Sequence, residues 1–230
     1  MITNEWLLLG KIVLELLIVW YMYYKSSPAF LMAIATVNMI FITAFGYQLY
    51  AVFDPRLISN MGNSCYATVI LCQVLLLYRY GIEVAKISRD VIFINLILFF
   101  GLSQSTQYFN RINDVSILSI SDTLLQSQSI ITAASFLAFY LTQTFVIHAY
   151  KNLKSIVQNN TLHCVMISFT AHLIDSLIFF GVAFHGTNNT LMLELFISGM
   201  IIKMAFVFMS LPILMYYIFR TPVPLVPCAY

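Results

Sequence analysis

Charge is what this chain has least of. Only 9% of its 230 residues are Asp, Glu, Lys or Arg, and the formal net charge is +2. So small a positive balance gives no basic face for phosphates, and no nucleic-acid partner is expected. The four cysteines, Cys65, Cys72, Cys164 and Cys228, stand without CxxC pairing or metal-ligand spacing. They read as small buried hydrophobes, not as a disulfide or zinc framework. GxSxG, HExxH and a phosphate-cradling glycine loop are all missing. No enzyme activity, cofactor or metal is therefore expected. The opening MITNEW has neither a basic n-region nor a small-residue cleavage site, so no removable signal peptide is expected. No long linker or low-complexity tract interrupts the chain, and residues 1–230 read as a single transmembrane domain.

What is present is hydrocarbon. Apolar residues make up 61% of the chain and come in runs long enough to cross a bilayer. Lipid is thus the surrounding solvent, and only helices and closed barrels satisfy their backbone groups there. The alternating ten-residue segments of a barrel are absent. The expected fold is all-α: a polytopic membrane bundle of seven helices, near 5–24, 28–53, 62–80, 88–108, 125–150, 162–185 and 191–219. Sorting Lys and Arg by side places Lys25, Arg79, Lys86, Arg89, Lys151, Lys154 and Arg220 at one end and Arg56 and Arg111 at the other; Lys11 and Lys203 fall inside helices. Cytoplasmic loops carry the excess, so the N-terminus is expected outside and the C-terminus in the cytoplasm. Two NxT patterns, at Asn159 and Asn188, fall in a cytoplasmic loop and a very short turn and are not expected to carry glycan.

Polar groups inside the spans are few and informative. Lys11 and Glu15 stand at i, i+4 in helix 1 and read as a self-neutralising pair. Asn38 lies in helix 2, Asn63 and Gln73 in helix 3, and Gln143 and His148 in helix 5. The cluster Ser103 to Gln107 at the end of helix 4 is either the outer interface or the mouth of a cavity. Thr132 to Ser135 read as a small-residue packing face, and Pro212 is expected to kink helix 7 or to lie where a neighbour or water satisfies the freed carbonyl. Asp175 and Lys203 lie on either side of the last turn, at offsets of about 15 and 18 Å from it, so an antiparallel pair brings them to the same depth. His172 precedes Asp175 by three residues and shares its helix face. These three could converge near midplane as glue between helices, as a polar binding site or, with no nucleophile beside a base, least readily as a catalytic one. The buried amides of Asn38, Gln73 and Gln143 exceed what packing needs and favour a binding site.

The stretches MGNSCYATVILCQVLLLYRYGIEVAK, ASFLAFYLTQ, HLIDSLIFFGVAF and IIKMAFVFMSLP resemble the motifs of the queuosine precursor transporter family, also called the vitamin uptake transporter family. On this mapping Gly62, Asn63, Gly81, Ser135, Gln143, Asp175, Ser176, Lys203 and Pro212 stand at motif positions. The chain departs from the pattern at Val74 and Tyr78, where acidic residues are usual, at Ile130 and His163, where arginines are common, at Val146, where an aspartate is, and at His172, where a glutamine or asparagine is.

The resemblance implies a multi-pass protein of the bacterial inner membrane that imports a small purine-like heterocycle, of the kind of 7-cyano-7-deazaguanine or 7-aminomethyl-7-deazaguanine. The site is expected between helices 3, 5, 6 and 7, lined by Asn38, Asn63, Gln73, Gln143, His172, Asp175 and Lys203, with Tyr140 and Phe179 for the faces of the ring. The other reading is a membrane substrate-binding subunit or interaction protein that does not itself transport. A second copy of the chain is a further candidate partner, which the sequence leaves open. The charge bias makes one prediction directly. A C-terminal alkaline phosphatase fusion should be inactive and a C-terminal fluorescent-protein fusion bright; an active phosphatase would mean that the helix count or the orientation is wrong.

Overall fold

The computed structural model describes residues 4–25, 27–45, 49–52, 54–60, 62–105, 115–185 and 189–220. Among them are seven helices, α1 (Asn4–Tyr24), α2 (Pro28–Phe45), α3 (Gly62–Tyr80), α4 (Ile82–Ser105), α5 (Val115–Lys154), α6 (Asn160–Ala183) and α7 (Asn189–Arg220). One antiparallel hairpin, β1 (Leu49–Val52) and β2 (Asp54–Asn60), joins α2 to α3. The fold is a helical membrane bundle. Four segments are long and apolar enough to cross a bilayer by themselves: Asn4–Tyr24, Ile130–Lys154, Asn160–Ala183 and Met192–Tyr216.

The remaining helices depend on their neighbours. Every residue of α3 from Gly62 to Leu77 is buried. A helix enclosed on all sides needs no lipid-soluble surface, so it tolerates Asn63, Gln73 and a string of hydroxyls that an outer helix would not. The others wrap it, and their outward faces carry large apolar side chains such as Leu14, Leu98, Leu177 and Phe208. In lipid that exposure is what an outer face requires.

Three boundaries differ from the sequence reading; one is the start of α5, at Val115 rather than near 125. The expected span 28–53 is cut short: α2 stops at Phe45, and its 18 residues already cover about 27 Å of the ~30 Å hydrocarbon core. The aromatic and β-branched residues beyond it pair as the hairpin. Asn4 at the start of α1 donates Nδ2 to Ala51 O of β1 at 2.8 Å, which sets the N-terminus and the hairpin at one end of the bundle.

The third difference lies at the other end. Helix α4 starts at Ile82 rather than near 88, because α3 reverses on a single residue. Gly81 takes φ +87°, its N–H donates back to Leu76 O, and its own carbonyl accepts from Ala85 N. Only glycine adopts that backbone without strain. Gln73 Nε2 then donates to Ala85 O at 3.0 Å and holds α3 to the first turn of α4. That turn and the next carry Glu83, Lys86, Arg89 and Asp90, so α4 leaves the apolar layer early at this end.

The loop reading of Asn159 is refined as well. Its side chain caps α6, accepting from Thr161 N at 3.0 Å and Leu162 N at 3.2 Å. The side chains of the polar cluster at 103–107, Asn188 and Cys228 lie outside the described residues or side chains.

Candidate functional site

Lys203 of α7 donates Nζ to Asp175 Oδ2 at 2.7 Å and to Ser176 Oγ at 2.8 Å, both on α6. The matched-depth argument therefore ends in a direct ion pair, with side chains only 4% and 7% exposed. Asp175 stands eight residues before the end of α6, about 12 Å from the hairpin end of the bundle and so on that side of midplane. The Lys203 ammonium also lies over the Tyr66 ring, 5.3 Å from its centroid. Two charges in so dry a place hold each other. Removing one partner of such a pair costs about 3–5 kcal/mol, because the other is left buried and uncompensated.

The pair forms one wall of a cavity in which about 40 Å³ admits the centre of a water molecule. That exceeds the ~10–15 Å³ that one water needs, so the cavity has room for water between the helices. Asn63, Tyr66 and Ser135 complete its polar side with Asp175 and Lys203, and Met39, Ile42, Ile131 and Phe179 form its apolar side. Helix α7 comes close to Asn63 only because residue 199 is glycine. A Cβ there would stand 3.1 Å from Asn63 Nδ2.

Three further buried residues carry polar atoms without hydrogen-bond partners in the structure: both ring nitrogens of His172, both amide atoms of Gln143 and the hydroxyl of Thr142. The Tyr66 hydroxyl lies beside Thr142 and Asp175 without closing a hydrogen bond to either. His172 meets the Tyr66 ring edge-on at 6.3 Å.

Of the residues expected at a site, the structure brings Asn63, Asp175 and Lys203 to the cavity wall, with Phe179. His172 and Gln143 are fully buried and unpartnered. Gln73 is spent on Ala85 O, and Asn38 donates to Ile34 O of its own helix at 3.0 Å; neither lines the cavity. Tyr140 faces outward, packed on Phe93 and Arg89, so it does not line the cavity either. Sequence reasoning passed over Tyr66, Met39, Ile42, Ile131 and Gly199. Tyr66 follows Asn63 by three residues and Gly199 precedes Lys203 by four, spacings that put each on the face of a residue already singled out. The apolar three carry no such mark.

The arrangement is a half-polar, half-apolar chamber walled by helices, with a charge pair on its polar side. Residues 60–217 match the family described as "Putative vitamin uptake transporter". The chain belongs to that family. No curated protein and no solved structure matches it. The family match spans α3 to α7 and takes in the ion pair and most of the cavity wall; α1 and α2 lie before it.

Two of the chain's departures from the expected motif pattern meet each other. The Tyr78 hydroxyl hydrogen-bonds His163 Nδ1, and the two rings lie 5.7 Å apart beside Tyr150. Where the pattern sets an acid and a base, the chain has two hydrogen-bonding rings. These two departures are paired. The ion pair supplies the prediction here. Asp175→Asn and Lys203→Met should each lower the yield of folded protein and its melting temperature in detergent, and the double variant should recover both. Single variants that melt with the wild type would show that the charges do not depend on each other.

Proposed function

We propose that this chain imports a purine-like heterocycle of the 7-deazaguanine type, such as 7-cyano-7-deazaguanine or 7-aminomethyl-7-deazaguanine, across the bacterial inner membrane. The observation that carries the reading is the Asp175–Lys203 pair set into the wall of a cavity that also holds Phe179, Tyr66 and Asn63. A guanine-like edge presents two N–H donors beside a carbonyl oxygen. A carboxylate accepts the donors, an ammonium donates to the oxygen, and the flat ring rests on aromatic and aliphatic side chains. Asp175 and Lys203 are those two groups, side by side. The neutral amides of Asn63 and Gln143 and the ring of His172 are further donors and acceptors for the rest of the edge.

Membership of a family of transporters and a bundle of apolar helices support import over a structural role. The chamber lies nearer the hairpin end, where the charge bias puts the outside, so a base enters from there.

The test is complementation. A strain unable to make queuosine precursors, carrying this gene and fed nanomolar 7-cyano-7-deazaguanine, should regain queuosine in its tRNA. The Asp175→Asn/Lys203→Met double variant should be folded and inserted yet fail. Purified protein that binds the base with no restoration in cells would make the chain a binding subunit. Neither binding nor restoration by a well-folded wild type would overturn the reading.

A further inference from the structure

Resting on that reading, we infer that the base leaves the chamber along the seam of α3, α5 and α6, and that Tyr78, Tyr150, Lys154 and His163 form the gate that closes this seam at its cytoplasmic end. Tyr66 of α3, which lines the chamber, meets side chains of both other helices at the top of the seam. His172 of α6 approaches its ring edge-on at 6.3 Å, and Thr142 of α5 lies beside its hydroxyl. The Tyr66 hydroxyl, the Thr142 hydroxyl and both ring nitrogens of His172 are buried without hydrogen-bond partners. Buried polar groups are nearly always paired, so an unpaired set drawn from three helices marks a place where a polar molecule rests or passes.

The same three helices meet again lower down. Twelve residues separate Tyr66 from Tyr78 on α3, and twelve separate His163 from Asp175 on α6, about 18 Å of helix in each case. The two helices run in opposite directions, so Tyr78 and His163 come to one depth, where the Tyr78 hydroxyl hydrogen-bonds His163 Nδ1. Tyr150 of α5 packs edge-on against the Tyr78 ring at 5.1 Å and lies 5.4 Å from the His163 ring. Lys154, exposed one turn further along α5, donates Nζ to Tyr150 Oη at 2.9 Å and lies over the rings of Tyr78 and Tyr150, 5.4 and 5.0 Å from their centroids. This is the end that the charge bias puts in the cytoplasm.

Between the two ends the buried side chains include Cys164, Ser168 and Ala171 on α6 and Ala138 and Thr142 on α5, all small, which leaves room as the helices part. The neighbouring seams are fastened elsewhere: Gln73 ties α3 to α4, and the Asp175–Lys203 pair ties α6 to α7. What ties α3, α5 and α6 at the cytoplasmic end is the ring cluster. A closure of hydrogen bonds and ring edges, with an exposed lysine at its rim, opens by trading its bonds for bonds to water. The motion is one of helices alone, with no covalent or redox step.

Cys164 reports on the gate, since it is buried beside the Tyr78 hydroxyl. In inside-out vesicles holding the full wild-type chain, a membrane-impermeant maleimide should modify Cys164, located by peptide mass spectrometry, about fivefold faster or more while 7-cyano-7-deazaguanine exchanges across the membrane than without it. Tyr78→Cys sets a second thiol opposite the first. Joining the two with a short bifunctional thiosulfonate should leave base binding within about twofold and slow exchange about tenfold or more, and a reducing agent should restore the rate. Equal labelling with and without base, or unslowed exchange once the link has formed, would overturn the gate and leave import standing. Loss of binding on linking would overturn it too, because the link would then act on the chamber rather than on its exit. A wild type that binds no base would fail the import reading itself.

Discussion

A lysine and an aspartate in hydrocarbon can stay only if they stay together. A charge at the centre of a bilayer costs about 2.5–3.5 kcal/mol on insertion scales, and the side chains of Asp175 and Lys203 are both buried between α6 and α7. Their 2.7 Å contact fixes the register of the last two helices, and Ser176 Oγ accepts a second hydrogen bond from the ammonium. The cavity is built around that register: Phe179 is one turn beyond Asp175 on α6, Gly199 one turn before Lys203 on α7, and Asn63 fits against the space the glycine leaves. The ion pair is thus at once the stitch between two helices and the most polar part of the chamber wall.

Helix α3 is the other constraint. Buried from Gly62 to Leu77, it is the one position among the described helices where polar side chains can be distributed around the whole circumference. Its cavity face carries Asn63 and Tyr66, its α1 face meets Lys11 and Glu15, and its far end is fastened through Gln73 to α4 and through Tyr78 to α6. Movement of this helix would be felt at each of those contacts. That is the physical reason to connect the cluster at its far end with the chamber.

Much of this was legible in the chain and some was not, for identifiable reasons. Run length and hydropathy give the helices because hydrocarbon demands ~20 apolar residues per crossing. The 1.5 Å rise gives the depth match of Asp175 and Lys203. The end of α2 was hidden because Leu49 to Val52 are as apolar as the helix before them, and a strand of four residues has no period of its own. The early start of α4 hung on the backbone of Gly81 alone. Buried amides misled most. Asn38 and Gln73 satisfy carbonyls of the fold, whereas Gln143 has no partner, and sequence does not separate a bonded amide from an orphaned one. Nor does it separate a wall of Met39, Ile42 and Ile131 from ordinary core.

The proposal that the Asp175–Lys203 pair receives the edge of a planar base is tested most directly by an experimental map of the protein with 7-cyano-7-deazaguanine bound. The account predicts the base in this chamber, its N–H edge on the Asp175 carboxylate, its carbonyl oxygen on Lys203 Nζ and its ring against Phe179. A base bound elsewhere, such as the apolar groove between Trp20 and Tyr216, with the ion pair untouched, would contradict it.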